Sequence, residues 1–374
     1  MLRHLIACLS LTAAVAQANI VIGQSVPTDG ESSTAIAGRA LALGASLYFN
    51  RVNAAGGIFG EKIDHQVMDD GHDPKRTLAN TQDLINKKHA LALVAYSGSL
   101  NMHEVLNAKV LETAGIPLIG AAAASEDIRN PGSPYFFQTR AGYRQELQRL
   151  VKLLADDLGV TRIAVLAQQD DYGNSGVADL KAELQKRHLS LAGTAWYDRK
   201  AQDLGSAAQQ MTKLNPEAIL LISVSTPAAR FIKAYRESGG SAQLYGLSPI
   251  QYEGVIQTIG KQSAHGLGLS QVFPYPDDTR LRFIREFRQD SEAALKDSDA
   301  PRYAVLEGYL SARLAVEAIK RAGKNPTRAG VYNALTGMKR YDLGGFVINF
   351  DETNRLGSNF VDVVMVSSTG ALAR

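Results

Sequence analysis

The chain has 374 residues, of which 45% are hydrophobic and 21% charged, and its 40 basic and 37 acidic residues give a formal net charge of +3. A chain of this length can bury a hydrophobic core and is long enough for two domains. Because the charges nearly balance, no nucleic-acid partner is indicated, and no stretch beyond the N-terminal region is long and apolar enough to cross a membrane.

The first 18 residues have the three parts of a secretory signal peptide. A basic start is followed by an apolar run over residues 5–15 and by an A-x-A cleavage site at Ala16-Gln17-Ala18. Cleavage near Ala18 would release the protein into the periplasm and remove Cys8, the single cysteine. The residues around Cys8 also resemble a lipoprotein cleavage box, so anchoring at this cysteine is the alternative.

Strand and helix patterns alternate along the first third of the chain. Asp73 is suited to be the N-cap of the second helix, and Pro74 fits its first position. Apolar strands that alternate with helices indicate a parallel sheet covered on both faces. The predicted strands are residues 20–23, 63–68, 90–95 and 116–121, and the predicted helices are 36–52, 75–88 and a third that ends near 113.

A second α/β series begins after Pro131-Gly132-Ser133-Pro134. The predicted fold class is therefore α/β with two doubly wound lobes, and ligands of such sheets bind at the carboxyl ends of the strands. The predicted helices are 145–158, 176–187, 204–214, 228–238 and 303–322. The predicted strands are 162–167, 191–196, 218–223, one near 244, 346–350 and 360–366.

Four segments together resemble the type I periplasmic binding proteins of ABC importers, the group that includes the leucine/isoleucine/valine-binding proteins. Residues 50–73 read NRVNAAGGIFGEKIDHQVMDDGHD, and AGIPLI, AQQDDYG and LEGY follow at 114–119, 167–173 and 306–309. The resemblance extends in order over nearly all of the chain after the signal peptide. It implies a binding protein that captures a small solute and delivers it to membrane permease subunits.

The resemblance also implies the domain organisation. The chain would cross between lobes three times, with hinges near Thr139, Gly266 and Phe360. Lobe one would comprise residues 19–138 and 266–359, and lobe two residues 139–265 and 360–374. Such a protein is expected to be a monomer, to need no cofactor and to close around its ligand.

The loop after the third strand is the first candidate binding segment. Its small polar residues lead into a helix, whose free N–H groups suit a carboxylate. The resemblance adds the alanine-rich loop after the fourth strand, where related proteins hold the ligand carboxylate with backbone amides and a small hydroxyl residue. The candidates are Tyr96, Ser97, Ser99 and Asn101 in the first loop and Ala122, Ala124 and Ser125 in the second.

Three further candidates follow from the resemblance. Tyr172 matches an aromatic residue that covers the ligand, and Glu307 lies in a helix that the family directs toward the cleft. Ser248 stands where amino-acid binders commonly carry an acid that pairs with the ligand ammonium. Either Glu253, Asp170 or Glu307 replaces that acid, or the ligand is not an α-amino acid.

Catalytic motifs are incomplete, which argues against an enzyme. Ile250 replaces the glycine that a nucleophile elbow needs after Ser248, and Asn107 stands where a zinc motif beginning at His103 needs its second histidine. The remaining histidines show no ligand spacing. We therefore expect no catalysis, no metal and no cofactor. A sensory role, with docking on a membrane receptor, is the alternative to transport.

Overall fold

The computed structural model describes residues 19–200, 203–296 and 298–374. The predicted signal peptide and Cys8 lie outside the described residues. Two large sheets, each with helices on both faces, confirm the predicted fold class. In the described part of the chain, no helix is both long and apolar enough to span a bilayer.

The first sheet has five parallel strands, because each strand is followed by a helical crossover. Its elements are β1 (Ile20–Val26), α1 (Ser33–Ala54), β2 (Ile63–Asp69), α2 (Pro74–Asn86), β3 (Ala92–Ser97), α3 (Ser99–Asn107), α4 (Val110–Ala114), β4 (Leu118–Ala122), α5 (Glu126–Arg129) and β5 (Phe136–Phe137). The strand order is β2-β1-β3-β4-β5.

The second sheet is built from the next part of the chain and its C-terminal end. The elements that follow β5 along the chain are α6 (Tyr143–Val151), continued by a π-helical turn (Lys152–Asp157), β6 (Ile163–Gln168), α7 (Asp171–Gln185), β7 (Gly193–Tyr197), α8 (Gly205–Leu214), β8 (Ala218–Ile222), α9 (Ser225–Glu237), β9 (Gln243–Gly246), α10 (Tyr252–Ala264), β10 (Gly268–Gln271), α11 (Arg282–Leu295), α12 (Arg302–Ala322), α13 (Arg328–Thr336), β11 (Tyr341–Asp342), β12 (Val347–Ile348), β13 (Asp362–Val366) and β14 (Leu372–Ala373). Helices α11, α12 and α13 share a core with the first sheet. Seven strands form the second sheet in the order β14-β13-β10-β9-β8-β6-β7, and β11 and β12 form a separate hairpin.

The position of β10 corrects one predicted boundary. Residues 266–359 were assigned to lobe one, but β10 pairs in parallel with β9 and antiparallel with β13, so it belongs to the second sheet. A four-residue apolar strand fits either sheet equally well, and only its hydrogen-bond partners decide between them. The chain therefore returns to the first sheet after Gln271.

Helix α12 completes the first sheet although it follows the second sheet in sequence. It packs against α1, β3 and β4, and most of its residues are buried. Its contact with α1 is backbone to backbone: a Cβ at Gly44 would clash with the carbonyl oxygen of Val305, and one at Gly308 with that of Leu41. The two glycines therefore set the distance between these helices.

Two helix starts position residues that matter for the site. Asp73 accepts a hydrogen bond from Arg76 N at 2.9 Å, and Pro74 is the first helical residue, which confirms the predicted start of α2. Helix α7 begins five residues earlier than predicted, because the Asp170 carboxylate accepts from Gly173 N at 3.2 Å and caps it. Tyr172 consequently lies in the first turn of a helix.

The close contact between α1 and α12 gives a stability prediction. Replacing Gly308 with alanine should lower the free energy of unfolding by about 1–3 kcal/mol, because the methyl group forces the helices apart. Urea denaturation followed by circular dichroism measures this change. Gly337→Ala is the matched control: its φ is −86° and its Cβ would meet Asn333 O at 3.4 Å, so the expected change is within about 0.5 kcal/mol. Equal effects of the two substitutions would contradict the role of Gly308.

Candidate ligand-binding site

A cavity lies between the carboxyl ends of the parallel strands of the two sheets. Its volume is about 90 Å³, which has room for roughly six to nine water-sized groups, since one water needs about 10–15 Å³. Loops that follow β3 and β4 line it on one side, and loops that follow β6, β8 and β9 line it on the other. Such an opening at strand ends is where doubly wound sheets bind ligands.

Six of the predicted binding residues border this cavity. The first sheet and α12 contribute four of them, and the second sheet contributes two. They come together because loops at the carboxyl ends of parallel strands share one edge of a sheet. These residues are Ser97, Ser99, Ala122, Glu307, Tyr172 and Ser248.

Two residues of the first predicted loop have side chains that point away from the cavity. Tyr96 is fully buried in the core on the α2 side of the first sheet, and its hydroxyl lies 3.1 Å from Thr81 Oγ1. Side chains alternate across a strand, so Tyr96 and Ser97 point in opposite directions. Asn101 is also buried, and its amide donates to Thr77 Oγ1 at 2.6 Å. The structure therefore contradicts cavity positions for Tyr96 and Asn101.

The second predicted loop meets the cavity only through Ala122. Ala124 is fully buried in a core cluster of the second sheet that also includes Tyr143 and Leu147. Ser125 is fully buried at the start of α5 and does not border the cavity. The small hydroxyl residue that the resemblance suggested in this loop is therefore not on the cavity wall.

Arg140 is the principal cavity residue that sequence reasoning missed. Its side chain is 4% exposed and lies on the crossing between β5 and α6. Its place on the cavity wall could have been inferred from the predicted hinge at the neighbouring residue Thr139, because residues at a hinge lie beside the cleft between the lobes. Other cavity residues missed in the same way are His72, Tyr143, Gln168, Arg199 and Gln251.

A buried charge cluster surrounds the Arg140 guanidinium. Arg140 Nη1 donates to both oxygens of Glu307, at 3.3 and 3.2 Å, and Nη2 donates to Ser248 Oγ. Nη2 also lies 3.6 Å from Glu146 Oε1. Glu146 accepts from Ser248 N and Oγ, both at 2.8 Å, and from Ser270 Oγ at 2.6 Å. One cation thus lies between two carboxylates, one from α12 and one from α6.

Burial shifts the pKa values of the acidic and the basic side chains of this cluster in opposite directions. It raises the pKa of Glu146 and of Glu307, while the Arg140 guanidinium lowers both. For Arg140, burial lowers the pKa, but Glu307 and further neighbours outweigh it and hold the pKa above its ordinary value. Arg140 is therefore a permanent cation on the cavity wall, and two carboxylates of the protein lie beside it.

The remaining cavity wall offers mainly neutral groups. Burial, helped by Arg199, lowers the pKa of His72 to about 4, so this imidazole is neutral at pH 7. Tyr143 and Tyr172 have ring centroids 4.8 Å apart, and burial raises the pKa of both phenols. These rings provide apolar contact area with hydroxyl groups that remain protonated.

The N-terminus of α3 faces the same space. No side chain caps this helix, whose first residues Ser99 and Leu100 border the cavity. Gly98 precedes it with φ +89°, and a Cβ there would lie 2.6 Å from His72 Cε1, so only glycine fits. The uncapped N–H groups of the first turn suit a carboxylate or another anionic oxygen.

The comparisons with known proteins agree with this geometry. A family model described as periplasmic binding protein matches residues 19–371. The chain belongs to the periplasmic binding protein family. In the described residues, no group of three or more His, Cys, Asp or Glu side chains could hold a metal ion.

Individual relatives cover nearly the whole chain. A substrate-binding periplasmic protein from Ralstonia solanacearum is 35% identical, with a TM-score of 0.88 over 95% of this chain and 99% of that one. A Leu/Ile/Val-binding protein homolog from Brucella abortus is 23% identical over 94% of this chain and 91% of its own. The fold is also similar to a fatty acid ABC transporter substrate-binding protein from Thermomonospora curvata, at 22% identity and a TM-score of 0.83, over 95% and 90% of the two chains. These relatives are binding proteins, and none is an enzyme.

The charge cluster gives a prediction about stability and pH. Arg140→Met should lower the free energy of unfolding by about 3–5 kcal/mol at pH 7.5, because two buried carboxylates lose their cation. Their folded-state pKa values then rise further above the unfolded value. Stability from such groups is present at low pH and lost as pH rises through the folded-state pKa. The deficit relative to wild type should therefore shrink at pH 5.5.

Urea unfolding at both pH values measures this effect. Lys152→Met is the control, because Lys152 is 56% exposed and its partner Asp157, at 2.8 Å, is 43% exposed. Loss of an exposed pair costs less than about 1 kcal/mol. A deficit for Arg140→Met that is as small as that of Lys152→Met, or that does not change with pH, would be inconsistent with the cluster.

Proposed function

We propose that the protein is the periplasmic substrate-binding component of an ABC importer and captures one small solute in the cavity between its two lobes. The observation that carries this proposal is a cavity bordered by strand ends of both sheets, in a chain of the periplasmic binding protein family. The name of the Thermomonospora relative includes an ABC transporter, which supports the same role. The partners would be membrane permease subunits, and the binding protein would act as a monomer.

Closure would occur by rotation about the three crossings between the sheets. Lobe one would comprise residues 19–138 and the segment from the end of β10 to 359, and lobe two residues 139–271 and 360–374. Contacts across the cleft support this mechanism. His103 Nδ1 lies 3.4 Å from Asp171 Oδ2, and Arg302 N donates to Glu253 Oε1 at 3.0 Å. A ligand that touches both lobes shifts the population toward the closed form.

The ligand would dock with an oxygen-rich group on lobe one. Ser97, Ser99 and the first turn of α3 would hold that group, with Ala122 beside it. Tyr172 and Ser248 of lobe two would then cover the ligand as the lobes close. Glu307 would act through Arg140 and not through direct contact, since its carboxylate is paired with that guanidinium.

A thermal-shift screen against small metabolites, followed by small-angle scattering, tests the proposal. A ligand at about 100 times its Kd stabilises the folded state by about 2.7 kcal/mol, which raises the melting temperature measurably. The same compound should reduce the radius of gyration or narrow its distribution. If no metabolite changed either the melting temperature or the scattering, the binding function would be rejected.

Tyr172 gives a sharper prediction for the same ligand. Tyr172→Ala should weaken binding by about tenfold, or ~1.4 kcal/mol, because the ring that borders the cavity is lost. Tyr172→Phe is the matched control, since it removes only a hydroxyl that lies 3.4 Å from Ser223 O and should change Kd less than about threefold. Calorimetry measures both, and circular dichroism confirms that the variants are folded. Wild-type affinity in Tyr172→Ala would remove this residue from the site.

A further inference from the structure

The carboxylates of the cavity wall decide which ligand charge the site accepts. In the described part of the chain, those bordering the cavity belong to Asp170 and Glu307. Glu307 has both oxygens on Arg140 Nη1, and only 6% of its side chain is exposed. Because little water reaches this pair, a ligand ammonium at Glu307 would lie beside the guanidinium cation and compete with it for the carboxylate.

Asp170 is engaged as well. Its carboxylate caps α7 through Gly173 N, accepts from Gln168 Nε2 at 2.5 Å and lies 3.9 Å from Arg199 Nε. Pairing with a ligand ammonium would compete with the cap and with a cation already beside it. The cost of losing an N-cap is about 1 kcal/mol, so the helix start resists this exchange.

The third possible acid, Glu253, does not border the cavity. It accepts from Arg302 N at the start of α12, and burial raises its pKa to about 7. At the position of Ser248 the protein places a hydroxyl that accepts from Arg140 and donates to Glu146. Glu146 is fully buried, does not border the cavity and already accepts from Ser248 and Ser270, so its carboxylate is not open to a ligand ammonium. An ammonium beside Ser248 would instead lie close to the Arg140 cation, and like charges in a poorly hydrated site repel.

The donors of the cavity wall favour the opposite charge. They include the first-turn N–H groups of α3, the hydroxyl of Ser99, the phenol of Tyr143 and the Arg140 side chain. The Nε atom of Arg140 is buried and has no hydrogen-bond partner in the described residues. This set can stabilise an anionic oxygen without adding an uncompensated cation.

We infer that the ligand is a small monocarboxylate that lacks an α-ammonium group, such as a simple, 2-hydroxy or 2-keto acid. The inference rests on the proposed binding function and specifies its substrate class. Apolar side chains such as Leu41, Ala37, Val224 and Ala304 complete the wall and suit a hydrocarbon tail. The cavity volume of about 90 Å³ fits an acid of roughly six to nine non-hydrogen atoms.

Calorimetry with compounds that share one carbon skeleton tests the inference directly. The probes are leucine, 4-methyl-2-oxopentanoate and 4-methylpentanoate, and a second series of valine, 3-methyl-2-oxobutanoate and 3-methylbutanoate, all at pH 7.5. In at least one series, a member without the amino group should bind at least tenfold more tightly than the amino acid. An amino acid that binds as tightly as its deaminated partners, or more tightly, would overturn the inference.

The outcome separates this inference from the proposed function. If an amino acid or an amine is the tight ligand, the inference fails and the binding function stands. If none of the six probes binds, the inference fails, and the wider metabolite screen then decides the binding function. If no metabolite binds at all, both are rejected.

A variant provides an independent test of the role of Arg140. Arg140→Met frees the Glu307 carboxylate, so the preference for the deaminated acid over the amino acid should fall at least tenfold. Arg144→Met should leave this preference unchanged, because Arg144 does not border the cavity. An unchanged preference in a folded Arg140→Met variant would overturn the assignment, and the wild-type probe series decides the ligand class if that variant does not fold.

Discussion

The interaction on which the cleft depends is the burial of Arg140 between Glu307 and Glu146. Each of these ions is costly to bury alone, so the three side chains hold one another in place. Glu307 belongs to α12, Glu146 to α6 and Arg140 to the crossing between the sheets. The cluster therefore ties both sides of the cleft to one hinge. It also explains Ser248, since a small hydroxyl fits between Arg140 and Glu146 and bonds to both.

Helix α12 links this cluster to the architecture of the first sheet. Its middle is fixed against α1 by Gly44 and Gly308, which leave no room for side chains between the two backbones. Glu307 precedes Gly308, so the same close contact fixes the carboxylate that pairs with Arg140. At the start of α12, Arg302 N donates to Glu253 of α10 across the cleft. Helix α12 thus contacts the neighbouring helix α1, Arg140 at the hinge and helix α10 across the cleft.

The sequence predicted the fold more fully than the site, for physical reasons. Apolar strands alternate with amphipathic helices in a local pattern, and a cap such as Asp73 acts over three residues, so both can be recognised without a structure. The pairing of β10 is not local, and its predicted lobe was wrong. Ser97 was placed at the cavity because it ends a parallel strand, whereas Tyr96, one residue earlier, points into the core. The Arg140–Glu307 pair joins residues 167 positions apart, and no periodicity reveals it.

The charge that a binding site offers depends on which side chains are already paired, and not on which residues are present. Asp170, Glu253 and Glu307 were equivalent candidates for an ammonium partner when only the sequence was considered. In the folded chain, the first caps a helix, the second binds a backbone N–H group on the far side of the cleft, and the third neutralises a buried arginine. These three acidic side chains therefore stabilise the fold through contacts within the protein. The cavity is left with N–H and O–H donors and apolar side chains, a combination that matches a carboxylate with a hydrocarbon body.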